Sequence, residues 1–445
     1  MSLLTRWGGA PLFVAVLLVY LLSLPVLSYD SYWTVPTALM ILHHGSTVID
    51  EFVPGSPVEA RYSLDCVPAL GPGHSYAAGH ECPGGHWYNL YPEGVPVVAL
   101  PIVALLDVAT RLTAALRLRS SHPVIAAFLA GDLARGRAIT ELVCGAIFCA
   151  ITAWLMYRIA ERFLSRTQSA LIMLLCAFGT AQWSIASRSL MQHGPSALFL
   201  ALALYLAVSA RDQPARVALL SLPLATAFAV RPSNFISVAV FSIYVALHHS
   251  RWFLRFVGWS LPVAVPFLVY NLLVRHSLFP TYYNYGSAER SPALTDLTMN
   301  LVSPSRGLLI FTPVVLFSAA GMVLAWRSRW CFPLTSYLVA IAIAHSLLIA
   351  LYWPGHGYGP RYYSDLSPLF AFFWIPAVLS WQKSQGKLRT ASACLFVALA
   401  AWSIFVHARG ATSTAANLWS ASPVNVDDAR WRVWDWRDPQ FLRGL

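Results

Sequence analysis

Charge is what this sequence has least of. Only 11% of its 445 residues are Asp, Glu, Lys or Arg, against 57% apolar residues, whereas soluble domains carry roughly 25% charge. With a mean hydropathy of +0.59, the chain belongs in a bilayer, and no stretch is polar enough to form a separate soluble domain. A long basic run is also missing. The net charge of +11 is spread in ones to threes between apolar blocks, which is the pattern of orienting loops and not of a nucleic-acid surface. There is no CxxC, no Cys/His zinc spacing, no internal repeat and no low-complexity tract. Residues 11–28, flanked by Arg6, have the look of a secretion-signal core, but "LSYDSYW" lacks a small-x-small cleavage site, so an uncleaved first span is expected.

Eleven apolar stretches approach the ~20 residues a crossing needs: 11–28, 139–160, 169–187, 193–210, 216–231, 233–248, 255–274, 307–326, 331–353, 366–381 and 388–408. A twelfth block, 94–116, decides the topology. If it is re-entrant, interfacial or paired with 122–131, then Arg158/Arg162/Arg166, Arg211/Arg216, Arg251/Arg255, Arg327/Arg329 and Lys383/Lys387/Arg389 all fall in inner loops, as the positive-inside rule requires. If it crosses alone, all move outside. The first choice leaves Arg111, Arg117, Arg119, Arg135 and Arg137 on the outer side without an account. It predicts an all-α integral-membrane bundle of 11–13 transmembrane helices with the N-terminus cytoplasmic and the C-terminus outside. The membrane unit spans 1–408, with a large first outer loop at 29–93 and another outer loop at 275–306. An outer tail, 409–445, ends in alternating Trp and Arg that suit a membrane surface or the outer loops, and its three clustered tryptophans are expected to pack.

The first loop is acidic, with Arg61 its only Arg or Lys. It holds Cys66 and Cys82, which pair if the loop faces an oxidising compartment and are otherwise two free thiols. "SYWTVPTALMILHH" (31–44) suits an interfacial helix anchored by Trp33.

Four places carry candidate chemistry, since ionisable groups near a bilayer are costly and usually functional. Asp30, at the hydrocarbon edge, is either a general base or a helix cap; Asp50 and Glu51 form a second acidic pair. "YWPGHGYGPRYYSDLSP" (352–368) offers Arg361 for bidentate phosphate binding, with His356 and Tyr362 beside it and glycines that let backbone approach a ligand. The alternative for Arg361 is a lipid head-group anchor. "SRSLMQHGP" (187–195) contributes Arg188 and His193, the latter more often a structural histidine. "YNLYPEGVPVVALP" (88–101) places Tyr91 and Glu93 where the loop re-enters the membrane, its Pro/Gly pattern suiting a broken helix. The inner side has no Gly-rich phosphate loop and no DxD motif, so a reaction on the outer side, which lacks ATP, would use a carrier brought through the membrane.

These landmarks, in order, resemble the GT-C superfamily of integral-membrane glycosyltransferases, in particular the bacterial polyprenyl-phosphate-sugar-dependent branch related to protein mannosyltransferases and aminoarabinose transferases. "DSYWTVPTALMILHHGSTVIDEF" is similar to its first-loop acidic segment and "YPEGVPVVALP" to its re-entry. "QHGPSALFLAL", "RPSN", "SPSRGLLIFTPV" and "GYGPRYYSDLSP" look like its later landmarks, so that the set covers most of the chain. The resemblance implies a GT-C-like fold in a bacterial cytoplasmic membrane and a polyprenyl-phosphate-linked sugar donor reaching the site laterally from membrane lipids. It implies Asp30 as base or acceptor-positioning group, Arg361 on the lipid phosphate, and inversion at the sugar. The acceptor is a glycan, lipid or protein. Two features depart from the pattern: many members carry an acidic pair directly after the first span where only Asp30 stands here, and no sizeable C-terminal soluble domain follows. No cofactor is implied, although Asp30, Asp50 and Glu51 could hold a divalent cation. Two other classes are open. An O-antigen ligase or polymerase would use a lipid diphosphate and more than one outer arginine, for which Arg188, Arg231 and Arg290 stand as candidates. A transporter or flippase would show mid-span charges and a repeat.

Overall fold

Apolar stretches with no water to bond their backbone must close their own hydrogen bonds, and this chain does so as helices. The computed structural model describes residues 9–68, 82, 84–278 and 293–445. In chain order the helices are Ala10–Leu21 (α1), Thr34–His44 (α2), Gly94–Ala115 (α3), Pro123–Leu129 (α4), Arg137–Ala160 (α5), Arg166–Phe178 (α6), His193–Ser209 (α7), Ser221–Val230 (α8), Phe235–His248 (α9), Phe253–Val274 (α10), Ala293–Val302 (α11), Val315–Ser328 (α12), Leu334–Ile349 (α13), Ser367–Lys383 (α14) and Lys387–Thr412 (α15). Four are long and apolar enough to cross a membrane: α3, α5, α10 with its lead-in from Ser250, and α15. The pair Arg166–Phe178 and Ala181–Arg188, bent by 42°, makes a fifth. Other expected spans form shorter apolar helices of 10–17 residues, among them α1, α7, α9, α12 and α13.

Helices α5, α7 and α14 form the centre. A large cluster joins Met156 and Ile159 of α5 to Leu204 of α7 and to Phe372, Phe373 and Trp374 of α14. Contact between α12 and α14 is tightest at Gly321, where a Cβ would lie 1.8 Å from the Phe373 carbonyl oxygen, so no other residue fits. "RPSN" forms the expected tight turn, a 3-10 segment at Pro232–Asn234 between α8 and α9.

Contacts sort the helix ends into two faces. At one, Arg162 pairs with Asp212 at 2.5 Å, Arg211 reaches the Cys331 Sγ at 3.2 Å and Gln382 donates to Gln168 at 2.9 Å. Here the arginine clusters collect. At the opposite face lie the first loop, the 352–366 loop and the tail. Three of the five arginines without an account on this side are matched locally. Arg111 pairs with Asp107 at 2.7 Å, Arg135 with Asp132 at 3.4 Å, and Arg137 with Glu141 at 2.7 Å while stacking on Tyr32.

Several expectations are corrected. The block after Tyr91 is not broken: α3 runs unbroken through Pro101. Helix α2 forms as expected, but Trp33 is no membrane anchor; it is buried against Ile49, Val53, Ala60 and Leu64, its indole donating to the Ala60 carbonyl at 2.8 Å. Asp30 does not cap α2, whose cap position is Trp33. The tail is folded onto the 352–366 loop and Met299, yet its three clustered tryptophans do not supply the packing. Trp431 and Trp436 are 68% and 61% exposed, and the buried indole is that of Trp419, with Met299, Val426 and Val433 around it.

Cys66 and Cys82 form a disulfide with Cα atoms 5.7 Å apart, beside the antiparallel hairpin of β1 (Leu64–Pro68) and β2 (Gly85–Asn89). Because the bridge closes 16 residues of chain, replacing both cysteines by Ala lowers the stability of this loop by about 2–4 kcal/mol. The expected readout is faster proteolysis between residues 64 and 90, with the helical bundle unchanged.

Candidate functional site

The site is built around a short turn. Apolar α1 ends at Leu21, and the chain is pinned as it leaves: Arg188 donates to the Leu24 carbonyl at 2.6 Å, and the Val26 N–H donates to the Arg188 carbonyl at 2.9 Å. A 3-10 turn, Tyr29–Ser31, follows, capped by Ser28, whose Oγ accepts the Asp30 N–H at 3.1 Å. The next residue fixes the turn from below: the Ser31 Oγ donates to the buried Glu141 of α5 at 2.5 Å. Asp30 therefore points away from the bundle on a rigid base. Tyr91 donates to its Oδ1 at 2.7 Å, and Arg361 donates to its Oδ2 at 3.2 Å. The Asp30 side chain is 37% exposed and that of Arg361 16% exposed, so the pair lies at a mouth open to solvent or lipid.

Arg361 comes from the glycine-rich loop. Gly359 has φ +54°, a conformation side chains rarely adopt, and a Cβ there would meet the Phe311 ring at 2.4 Å. The loop thus needs glycine on both counts. The Arg361 guanidinium lies 5.0 Å from the Tyr362 ring centre and donates to the Tyr362 hydroxyl at 3.3 Å. A second guanidinium, Arg231, lies 5.9 Å from the same ring.

Behind Tyr362 is a cluster that sequence reasoning missed in part. Asp365 is buried and takes Arg231 on Oδ2 at 2.5 Å, the Ser196 hydroxyl on Oδ2 at 3.0 Å, and the His193 ring on Oδ1 at 2.8 Å. Asn234 completes it by donating to Ser196 at 2.8 Å. Burial alone would raise the Asp365 carboxyl, but Arg231, His193 and their hydrogen bonds hold it down at about 2. That folded value lies below the unfolded one near 3.9, so the pairing stabilises the protein above pH ~4 and weakens as pH falls toward 2. Asp365→Asn is expected to remove this acid-sensitive share of stability in thermal unfolding runs at descending pH. Asp365→Ala, which takes the carboxylate from the partly buried Arg231 and leaves the buried His193 and Ser196 without their acceptor, costs about 3–5 kcal/mol.

The other candidates are placed as follows. Glu93 does not reach Asp30. It accepts from Arg275, which also holds the buried Asp65, while Tyr270 donates to Glu93 at 2.9 Å. This network fastens the first loop to the end of α10. Arg188 is buried, and besides Leu24 its donors go to the Ser184 carbonyl at 2.8 Å and the Gly410 carbonyl at 2.5 Å, so it ties backbone segments together. Asp50 accepts from the Trp87 N–H at 2.7 Å and contacts His86 at 2.7 Å, whereas Asp30 is held by Tyr91 and Arg361; Glu51 is exposed. His356 contacts Asn425 of the tail at 2.8 Å and Asp427 at 3.5 Å. Among the described residues no group of three His, Cys, Asp or Glu side chains is placed to hold a metal ion, so Asp30, Asp50 and Glu51, which could have held a divalent cation, form no preformed site for one. Arg290 lies outside the described residues.

What the site can do follows from its parts. A carboxylate open to an acceptor, a guanidinium within reach of the same point and a tyrosine hydroxyl define a place where an anion and a hydroxyl can meet. The chain matches no family model, no curated protein and no solved structure.

Proposed function

We propose that this protein is a membrane glycosyltransferase that moves a sugar from a polyprenyl-phosphate carrier to an acceptor hydroxyl on the outer face of a bacterial cytoplasmic membrane. The observation that carries the reading is the contact between Asp30 and Arg361, residues 331 positions apart in sequence. In the resting site Arg361 holds Asp30. A donor phosphate binding Arg361 displaces the carboxylate, which is then free to take the acceptor proton. As the bond to the sugar breaks, charge grows on the phosphate, and Arg361 offsets it. Tyr91 keeps Asp30 aimed, and the Tyr362 hydroxyl holds Arg361.

A GT-C-like arrangement is consistent with the helix ends. Ser31 and Tyr32 contact Glu141 and Arg137 at the start of α5, so the chain returns by residue 137 to the face it left at residue 31. Tyr91, just before α3, is at that face too. Were α3 to cross, the way back would have only α4, seven residues long, or about 10 Å. The remaining irregular backbone could not be satisfied in lipid. In our reading α3 lies along the outer face, and α1, α5 to α10 and α12 to α15 make 11 crossings with the N-terminus inside. The disulfide supports an oxidising outer side.

The lipid monophosphate is favoured over a diphosphate because, among the described residues, the two further candidate arginines are committed elsewhere: Arg188 to backbone carbonyls and Arg231 to Asp365. The test uses proteoliposomes supplied with polyprenyl-monophosphate and polyprenyl-diphosphate sugars plus a bacterial envelope extract. Sugar transfer from monophosphate donors, with acceptor required on the Asp30 side, supports the proposal. Transfer from diphosphate donors alone overturns it.

A further inference from the structure

We infer that Gln440 is a positioning residue for Arg361, which makes the tail a working part of the outer site. The inference rests on the proposed role of Arg361 as the lipid-phosphate ligand. Gln440 is completely buried. Its Oε1 accepts the Gly359 N–H at 3.0 Å and the Arg306 guanidinium at 2.8 Å. Its Nε2 donates to the Gly357 carbonyl at 2.9 Å and the Ala416 carbonyl at 3.2 Å. Two of these four bonds fall on the glycines just before Arg361, and the Arg361 N–H in turn donates to the Gly359 carbonyl at 2.9 Å.

Glycines carry no side chain to pack, so a glycine-rich loop has little to hold it in one conformation. Here the constraint comes from outside the loop. Arg306 extends the hold, donating to the Gly355 carbonyl at 2.9 Å and the Ser420 hydroxyl at 3.0 Å. The strap that delivers Gln440 is itself fixed: Arg409 of α15 donates to the Phe441 carbonyl at 3.2 Å and the Arg443 carbonyl at 2.7 Å. The Phe441 ring is buried with its centre 5.4 Å from that of Phe311, the same ring that backs Gly359. Removing the Gln440 amide leaves the Gly359 N–H and the Arg306 guanidinium each short of a buried acceptor, and the loop moves to satisfy them.

The test is a double-mutant cycle in nanodiscs with a polyprenyl-phosphate sugar as donor. Gln440→Ala is expected to lower kcat/KM by about 10-fold or more, because small misplacements of a charge-bearing group are expensive. In an Arg361→Ala background the same change is expected to cost less than about 2-fold, since its effect runs through Arg361. Equal losses in both backgrounds overturn the inference. Gln440→Glu keeps the acceptor toward Gly359 and Arg306 and loses the donor, so an intermediate loss is expected; it also serves if the alanine variant does not fold. Deuterium exchange over residues 353–363 separates this inference from the reading it rests on. Faster exchange there in Gln440→Ala, with the helices unchanged, supports the positioning role even if wild type turns over no donor, in which case the transferase reading alone falls. Unchanged exchange overturns the positioning role whatever the activity.

Discussion

Replacing Asp30 by Asn is expected to lower kcat for sugar transfer by about 10²–10⁴-fold, the range for a lost general base. Asparagine has nearly the same shape and can still accept the Tyr91 hydroxyl, so the turn, fixed by Ser28, Ser31 and Glu141, stays in place. What is lost is the negative charge. The same loss predicts an unusual companion effect. The Asp30 carboxylate occupies Arg361, and on the proposed function a donor phosphate must displace it. Without that competitor, KM for the donor falls while kcat collapses, a split that steady-state kinetics reads directly. A rise in KM equal to the fall in kcat/KM would mean that Asp30 binds the donor and does not accept the proton.

Arg361→Ala gives the second large effect. On the proposed function it removes the cation assigned to the leaving phosphate, and kcat/KM is expected to fall by about 10²–10³-fold, as when one preorganised donor to a developing anion is removed. KM rises here, opposite in sign to Asp30→Asn. Arg361→Lys recovers little. Lysine supplies a charge, but not the planar fork whose separate nitrogens reach the Tyr362 hydroxyl and Asp30. The check is donor kinetics for both variants, alongside thermal unfolding to show that the fold is kept.

Much of the site's plan was legible because it depends on short-range sequence features. An apolar run followed at once by a carboxylate marks Asp30, and a glycine-rich loop with one arginine marks Arg361. The helical, membrane-suited character follows from hydropathy alone. Less legible were partnerships between distant segments. Asp365 stands only four residues after Arg361, yet nothing local shows that it collects His193 and Ser196 from another helix and Arg231 from a turn. Glu141 carried a usable signal, a lone carboxylate at the head of an apolar block, which in a bilayer needs a partner; the partners, Ser31 and Arg137, explain it. Glu93 was singled out at the re-entry beside Tyr91 as a ligand candidate, but its partner, Arg275, is 182 residues away and no local feature points to it. The tryptophans of the tail misled because tryptophan packs equally well into a core or against an interface. Trp419 took the core and the later three did not.

The measurement that tests the account most directly follows release of polyprenyl phosphate from a panel of short-chain polyprenyl-phosphate sugars. It uses the protein in lipid nanodiscs with a bacterial envelope extract, comparing wild type with Asp30→Asn and Arg361→Ala. The account predicts release by wild type and loss in both folded variants, with donor KM moving in opposite directions. Release that persists at the wild-type rate in both variants would contradict it, because the reacting bond would then lie somewhere other than between Asp30 and Arg361.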